Sequence, residues 1–283
     1  MLKQRVLTAL TMLAILLPTL FYATPWPFCL LALVFIAAGA WEWGRLNGLG
    51  ANGAIWAACQ FAILAAMTWY LGLLERQLTT LWIIASGLWV LMGAWLLKTG
   101  VSGWSKIPST LRRMGGVLAL WLAWLAVSQA RIMGINFLMS VLLLVWAADI
   151  FAYFSGRALG GKFSASKLAP SISPGKSWEG VWGGVVGVLL LAFVWIFADA
   201  HWQNAVPSLY TRLSSQHWIL MLIALLFLTA MSVVGDLVES LIKRSAGVKD
   251  SSGLLPGHGG VLDRIDALLP TLPIAMMLAG LIQ

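Results

Sequence analysis

Apolar runs of about 20 residues, the length that crosses a hydrocarbon core, follow one another along this chain with only short polar breaks. The pattern predicts nine membrane helices, over residues 6–23, 26–43, 54–74, 79–97, 115–130, 135–153, 179–198, 218–234 and 262–281. The fifth is short and the second carries Glu42 near its end, so a count of eight or ten stays open. The first run has the basic start and apolar middle of a secretory leader. Phe21, Tyr22 and Ala23 make a poor small-x-small cleavage site, however, so it is expected to remain as a spanning helix. Two breaks are longer and polar, 154–178 and 239–261. The expectation is an all-α, polytopic integral membrane protein with about nine transmembrane helices and a polar, cytoplasm-facing active-site cleft. It forms one membrane domain over 1–283, with 1–134 as scaffold and 135–283 carrying the chemistry.

Composition agrees with the pattern. Of 283 residues 60% are hydrophobic and 10% charged, less than half the roughly 25% charged fraction of a soluble domain, and the mean hydropathy is +0.89. The net charge of +8 does not point to nucleic acid, because the bases are dispersed among the apolar runs rather than gathered in a stripe. Placing the N-terminus in the cytoplasm puts fifteen of the eighteen bases on that side and leaves Arg76, Arg131 and Arg212 opposite, as loop charge bias favours. Cys29 and Cys59 lie inside apolar runs without metal-ligand spacing, which predicts packing roles.

Against this background residues 235–266 stand out, with five of the ten acids and four of the eighteen bases beside a Gly-rich turn. On a helix continuing the eighth run, Asp236, Glu239, Ser240 and Lys243 are spaced by three, four and seven and share one face. Asp263 and Asp266 are three apart at the start of the last run, so two acidic faces could meet across a metal. Carboxylates and hydroxyls without a thiol or His cluster suit Mg²⁺, which keeps waters and is completed by substrate phosphates. Lys243, Arg244, Lys249 and Arg264 can offset phosphate charge. Gly257, Gly259 and Gly260 would let backbone amides approach phosphate oxygens. His258 either contacts phosphate or makes a structural hydrogen bond in its turn. The competing view of the whole stretch is a solvated loop with ordinary salt bridges.

The earlier break offers Lys162, Lys167 and Lys176 with nearby hydroxyls, suited to nucleotide phosphates or an anionic lipid head group. Taken alone it would be only a topology signal. Gly175-Lys176-Ser177 is not a P-loop, because the first glycine that motif requires falls on Pro170. Asp149 ends an apolar run, where an acid is a site candidate; a cap or an ion pair with Arg157 is the alternative. Gly180, Gly183, Gly184 and Gly187 allow close helix approach, within the chain or at a dimer seam. Charges collected at one membrane face, with no inverted repeat, argue against a transporter with a midplane site.

The segment SLIKRSAGVKDSSGLLPGHGGVLDRID over 240–266 closely resembles the signature of the phosphatidate cytidylyltransferase (CDP-diacylglycerol synthase) family. The similarity extends to WAADIFAYFSG from Trp146, SPGKSWEG from Ser173 and WEWGRL from Trp41. The full signature argues against another lipid-phosphate enzyme such as a polyprenol kinase. The resemblance implies condensation of CTP with phosphatidic acid in the membrane lipid bilayer. It implies Asp236 and Asp263 as metal-binding acids with Ser240 and Lys243 beside them as the catalytic set, and Asp266 as a further metal ligand. Asp149, Lys167, Ser173, Lys176, Arg244, Lys249, His258, Gly259, Gly260 and Arg264 form the expected substrate-binding set. The cofactor expected is Mg²⁺, with room for a second cation. The expected location is a bacterial inner membrane, with the N-terminus and active site cytoplasmic and the C-terminus opposite.

Overall fold

The computed structural model describes residues 2–164 and 166–282. Met1, Ala165 and Gln283 lie outside it, as do the side chains of Leu2 and of Lys3, one of the bases counted in the charge bias. Twelve helices and one hairpin follow in order among these residues. They are α1 Leu2–Leu20, α2 Trp26–Leu46, α3 Ala51–Tyr70, α4 Thr79–Thr99, α5 Val101–Lys106, α6 Ser109–Met133, α7 Ile135–Leu159, β1 Lys167–Ala169, β2 Ser173–Ser177, α8 Trp178–Trp202, α9 Leu209–Gln216, α10 Trp218–Ser245, α11 Leu262–Ile265 and α12 Leu268–Leu281. Eight helical segments are long and apolar enough to cross a membrane, and a shorter apolar helix, Gln4–Leu20, precedes them. All nine expected runs are helical: eight meet this measure, and the first is α1, counted here from Gln4. The protein is an integral membrane protein by this measure.

Three differences from the expected elements have physical causes. The fifth run is not short: α6 covers 25 residues and is the most enclosed span. The last run spans as one segment, Leu262–Leu281, but a two-residue turn at Asp266–Ala267 divides it into α11 and α12. Pro270 has no N–H to return to the carbonyl of Asp266 and its ring crowds that carbonyl, so the helix breaks there. The Asp266 carbonyl accepts Leu269 N at 3.3 Å instead and faces α10 where Gly235 removes the obstacle; a Cβ on Gly235 would lie 2.5 Å from Asp266 O. The polar 154–178 break carries regular structure. Its first residues continue α7, and Lys167–Ala169 pairs antiparallel with Ser173–Ser177.

α6 and α12 form the centre, with α2 and α3 packed on α6, and α4 and α10 packed on α12. α7 and α8 make the tightest pair. Along it Gly180, Gly183, Gly184 and Gly187 lie against Ala152, Ser155, Ala148 and Phe151, and a Cβ on Gly184 would sit 2.9 Å from Ala148 O. The glycine seam is thus filled within the chain rather than left for a second copy. Gly184→Leu is expected to overpack this seam and cost about 1–3 kcal/mol, seen as a lower melting temperature in detergent. Gly87→Leu, where the added side chain meets open space, should melt like the unmodified protein. Cys29 is buried and packs as expected, whereas Cys59 is exposed on the outer surface of α3. Large apolar side chains such as Phe197, 75% exposed, cover the outside, as a lipid-facing surface requires.

Candidate active site

α10 runs unbroken for 28 residues, about 42 Å at 1.5 Å per residue. It exceeds the roughly 30 Å hydrocarbon core, and its last turns carry the acidic face. Ser240 Oγ donates to Asp236 Oδ1 at 3.4 Å, and Asp236 Oδ2 takes Lys176 Nζ at 2.5 Å. That ion pair pins the hairpin to α10. Arg244 reinforces the attachment by donating to the carbonyl of Ile172, at 3.5 Å, in the hairpin turn, where Ile172 is buried; its other contact, to Val248 O, is local to the end of α10.

Lys176 and Asp236 face a cavity of about 430 Å³ between α7, α8, α10 and the hairpin, within the size range of ligand pockets. Asp149, Tyr153 and Arg157 from α7 complete its polar end, while Ala148, Val181 and Val233 line its apolar part. Asp149 makes no ion pair with Arg157, which donates instead to Tyr153 Oη at 3.2 Å. Asp149 and Asp266 both interact electrostatically with Asp236, so the three acids share one field.

A second cluster adjoins the first. Lys243 Nζ lies 2.5 Å from both Glu239 Oε2 and Asp263 Oδ1. These side chains are only 11%, 6% and 6% exposed, so the cation is largely withdrawn from water and paired on two sides. Asp263 Oδ2 accepts Gly260 N at 2.7 Å and Ser251 N at 3.0 Å, and lies 3.0 Å from Ser251 Oγ. The two acidic faces do meet, with Lys243 between them.

Several expected substrate groups are engaged within the protein. Lys167 donates to Pro174 O at 2.7 Å inside the hairpin, where Ser173 pairs with Ala169. The Gly-rich turn wraps Asp263 rather than leaving an open phosphate cradle. The Gly260 amide is directed at that carboxylate, and Gly259, at φ 82°, would place a Cβ 2.7 Å from Asp263 Oδ2. Arg264 clamps the same turn by donating from Nε and Nη2 to His258 O, at 3.0 and 2.7 Å. His258 N donates to Leu255 O, while its buried Nδ1 has no partner. Lys249 is exposed.

Three acids outside the expected site residues hold this assembly. Glu42 of α2 binds the 251–262 segment through four hydrogen bonds. Glu179 Oε1 accepts Phe163 N at 3.1 Å and Ser164 N at 2.8 Å, anchoring the chain before the hairpin. Glu239, on the acidic face of α10, is the second partner of Lys243. The signal for Glu42 was an acid inside an apolar run, in the WEWGRL segment already noted.

Among the described residues, no three Asp, Glu, His or Cys side chains converge to hold a metal alone. The expected trio of Asp236, Asp263 and Asp266 is therefore not a closed cage. The donors still fit Mg²⁺, which relies on one or two carboxylates plus water and phosphate oxygens. Among the described residues Asp236 Oδ1 carries only the long Ser240 contact, and Asp263 Oδ1 only Lys243. Each retains a lone-pair direction for an incoming cation.

A helical membrane bundle thus gathers acids and lysines around a cleft with a polar end and an apolar part. The chain belongs to the Cytidylyltransferase family, whose sequence model matches residues 3–282. It is 38% identical to the phosphatidate cytidylyltransferase of Pseudomonas aeruginosa, over 97% of this chain and 95% of the relative. It is 40% identical to that of Haemophilus influenzae, over 96% of each chain. The Bacillus subtilis phosphatidate cytidylyltransferase is 38% identical over 52% of this chain.

Proposed function

We infer that this protein condenses CTP with phosphatidic acid to give CDP-diacylglycerol and pyrophosphate. The observation that carries the reading is the cleft itself: Lys176–Asp236 at its polar end, Lys243–Asp263 adjoining, and an apolar part continuous with the bundle. An amphiphile with an anionic head and two acyl chains matches that division, since the tails stay in the bilayer while the head group reaches the lysines.

The reaction joins a phosphatidate oxygen to the α-phosphorus of CTP and breaks the bond to the β-phosphate, releasing pyrophosphate. The attacking phosphate is already anionic, so alignment and charge neutralisation matter more than proton removal. Asp236 and Asp263, with Asp266 beside them, would hold Mg²⁺, which would supply positive charge to the triphosphate, and the acid count leaves room for a second cation. Lys176 and Lys243 rest on carboxylates in the protein alone. A phosphate group offers each lysine another anionic partner, so substrate entry exposes carboxylate oxygens as it satisfies the cations.

With α1 as a ninth crossing, running from Gly257, which Arg5 adjoins, to Arg131, which donates to Leu20 O, the fifteen-to-three division of bases supports a cytoplasmic N-terminus and active site, with the C-terminus opposite, in a bacterial inner membrane. The test supplies purified protein with phosphatidate, Mg²⁺ and CTP labelled at the α-phosphorus. Label should enter lipid, whereas γ-labelled CTP should yield labelled pyrophosphate only. Folded protein that makes no labelled lipid with any divalent ion contradicts the reading.

A further inference from the structure

Glu42 lies in the last turns of α2, with 0% of its surface exposed. Its Oε1 accepts Val261 N at 2.9 Å and the Ser252 hydroxyl; its Oε2 accepts Leu262 N at 2.8 Å and lies 3.1 Å from Ser251 Oγ. These contacts cross more than 200 residues of sequence. We propose that Glu42 is a positioning residue for the reaction: it fixes the chain entering α11 and so sets where Asp263 presents its carboxylate. The proposal rests on the function inferred above.

The amides of Val261 and Leu262 belong to the start of a helical turn, where N–H groups lack intrahelical acceptors. Glu42 supplies those acceptors from another helix, and Asp263 is the next residue. Ser251 Oγ lies 3.1 Å from Glu42 and 3.0 Å from Asp263. It has one proton, so it links the two carboxylates while donating to one at a time. There is no slack between them. A Cβ on Gly260 would sit 2.4 Å from Glu42 Oε1 and 2.0 Å from Ser251 Oγ. α2 is itself fixed, since Trp43 Nε1 donates to Arg112 O at 3.1 Å and α2 packs on α3 and α6.

The test compares Glu42→Gln with the unmodified protein in detergent, reading melting temperature together with kcat and KM for CTP. Gln offers one acceptor oxygen where two are in use. The expected result is a protein that still melts cooperatively, with kcat lower by roughly 10–100-fold, the range for residues that orient reacting groups. KM for CTP should stay near the unmodified value, because the loss falls on the reacting geometry. A folded Glu42→Gln protein with unchanged kcat, or with only a raised KM, overturns the proposal. If Glu42→Gln does not fold, Ser252→Ala removes one donor and Ser252→Thr restores it. The Ala variant should lose kcat and the Thr variant recover it, and an Ala variant with unchanged kcat overturns the proposal. An unmodified protein that makes no CDP-diacylglycerol instead overturns the function reading on which the proposal rests.

Discussion

In Asp263→Asn, turnover is expected to fall by roughly 100- to 1000-fold, the loss seen when one preorganised electrostatic contact is removed from a reacting centre. The two Asp263 oxygens accept different partners, Lys243 on Oδ1 and the Gly260 and Ser251 amides on Oδ2. An Asn amide placed on either side points a donor at a donor. One orientation expels Lys243 and the other loosens the turn, so neither reproduces the site. Glu239 still pairs with Lys243 in the variant, which should let it fold. Steady-state kinetics on protein with native helical content checks this. A normal rate with normal magnesium dependence would remove Asp263 from the active centre.

The second large effect separates activity from stability. Lys176 and Asp236 pair with side-chain exposures of 27% and 31%. Asp236→Asn should therefore cost less than about 1 kcal/mol of stability, as for other solvent-accessible pairs. It should still lower turnover by roughly 100-fold or more, because Asp236 faces the cavity. Lys243→Met should behave differently, since it leaves Glu239 and Asp263 buried without their shared cation. The cost expected is about 3–5 kcal/mol, together with lost activity. Melting temperatures and initial rates for the two variants make the comparison. Equal melting temperatures would contradict the assignment of one pair to the cleft and the other to the interior.

The two prominent acidic faces were legible in sequence because charge is costly in an apolar chain, and helical spacing places Asp236, Ser240 and Lys243 together. The spans were legible for the same reason, as length and hydropathy decide which segments can cross a bilayer. The hairpin was not, because Pro170, Pro174 and three serines between Ala169 and Trp178 show no alternation of apolar and polar residues. The break before α12 had a readable cause in Pro270, outweighed by the continuous apolar run around it. Which acid meets which base was beyond sequence. Lys176 finds Asp236 sixty residues away, and the Gly-rich turn closes on Asp263, where an open phosphate cradle had been expected. Glu42 shows why most clearly, since a lone acid in a helix reveals its role only when the four donors from the 251–262 segment are placed around it.

The central claim is that phosphatidate attacks the α-phosphorus of CTP at this cleft. Phosphatidate carrying ¹⁸O in the three terminal oxygens of its phosphate tests it most directly, with both products weighed by mass spectrometry after reaction with unlabelled CTP and Mg²⁺. The account predicts CDP-diacylglycerol that keeps all three ¹⁸O atoms, one of them in the new P–O–P bridge, and pyrophosphate that contains none. Pyrophosphate bearing ¹⁸O, or folded protein that makes no CDP-diacylglycerol, would contradict it.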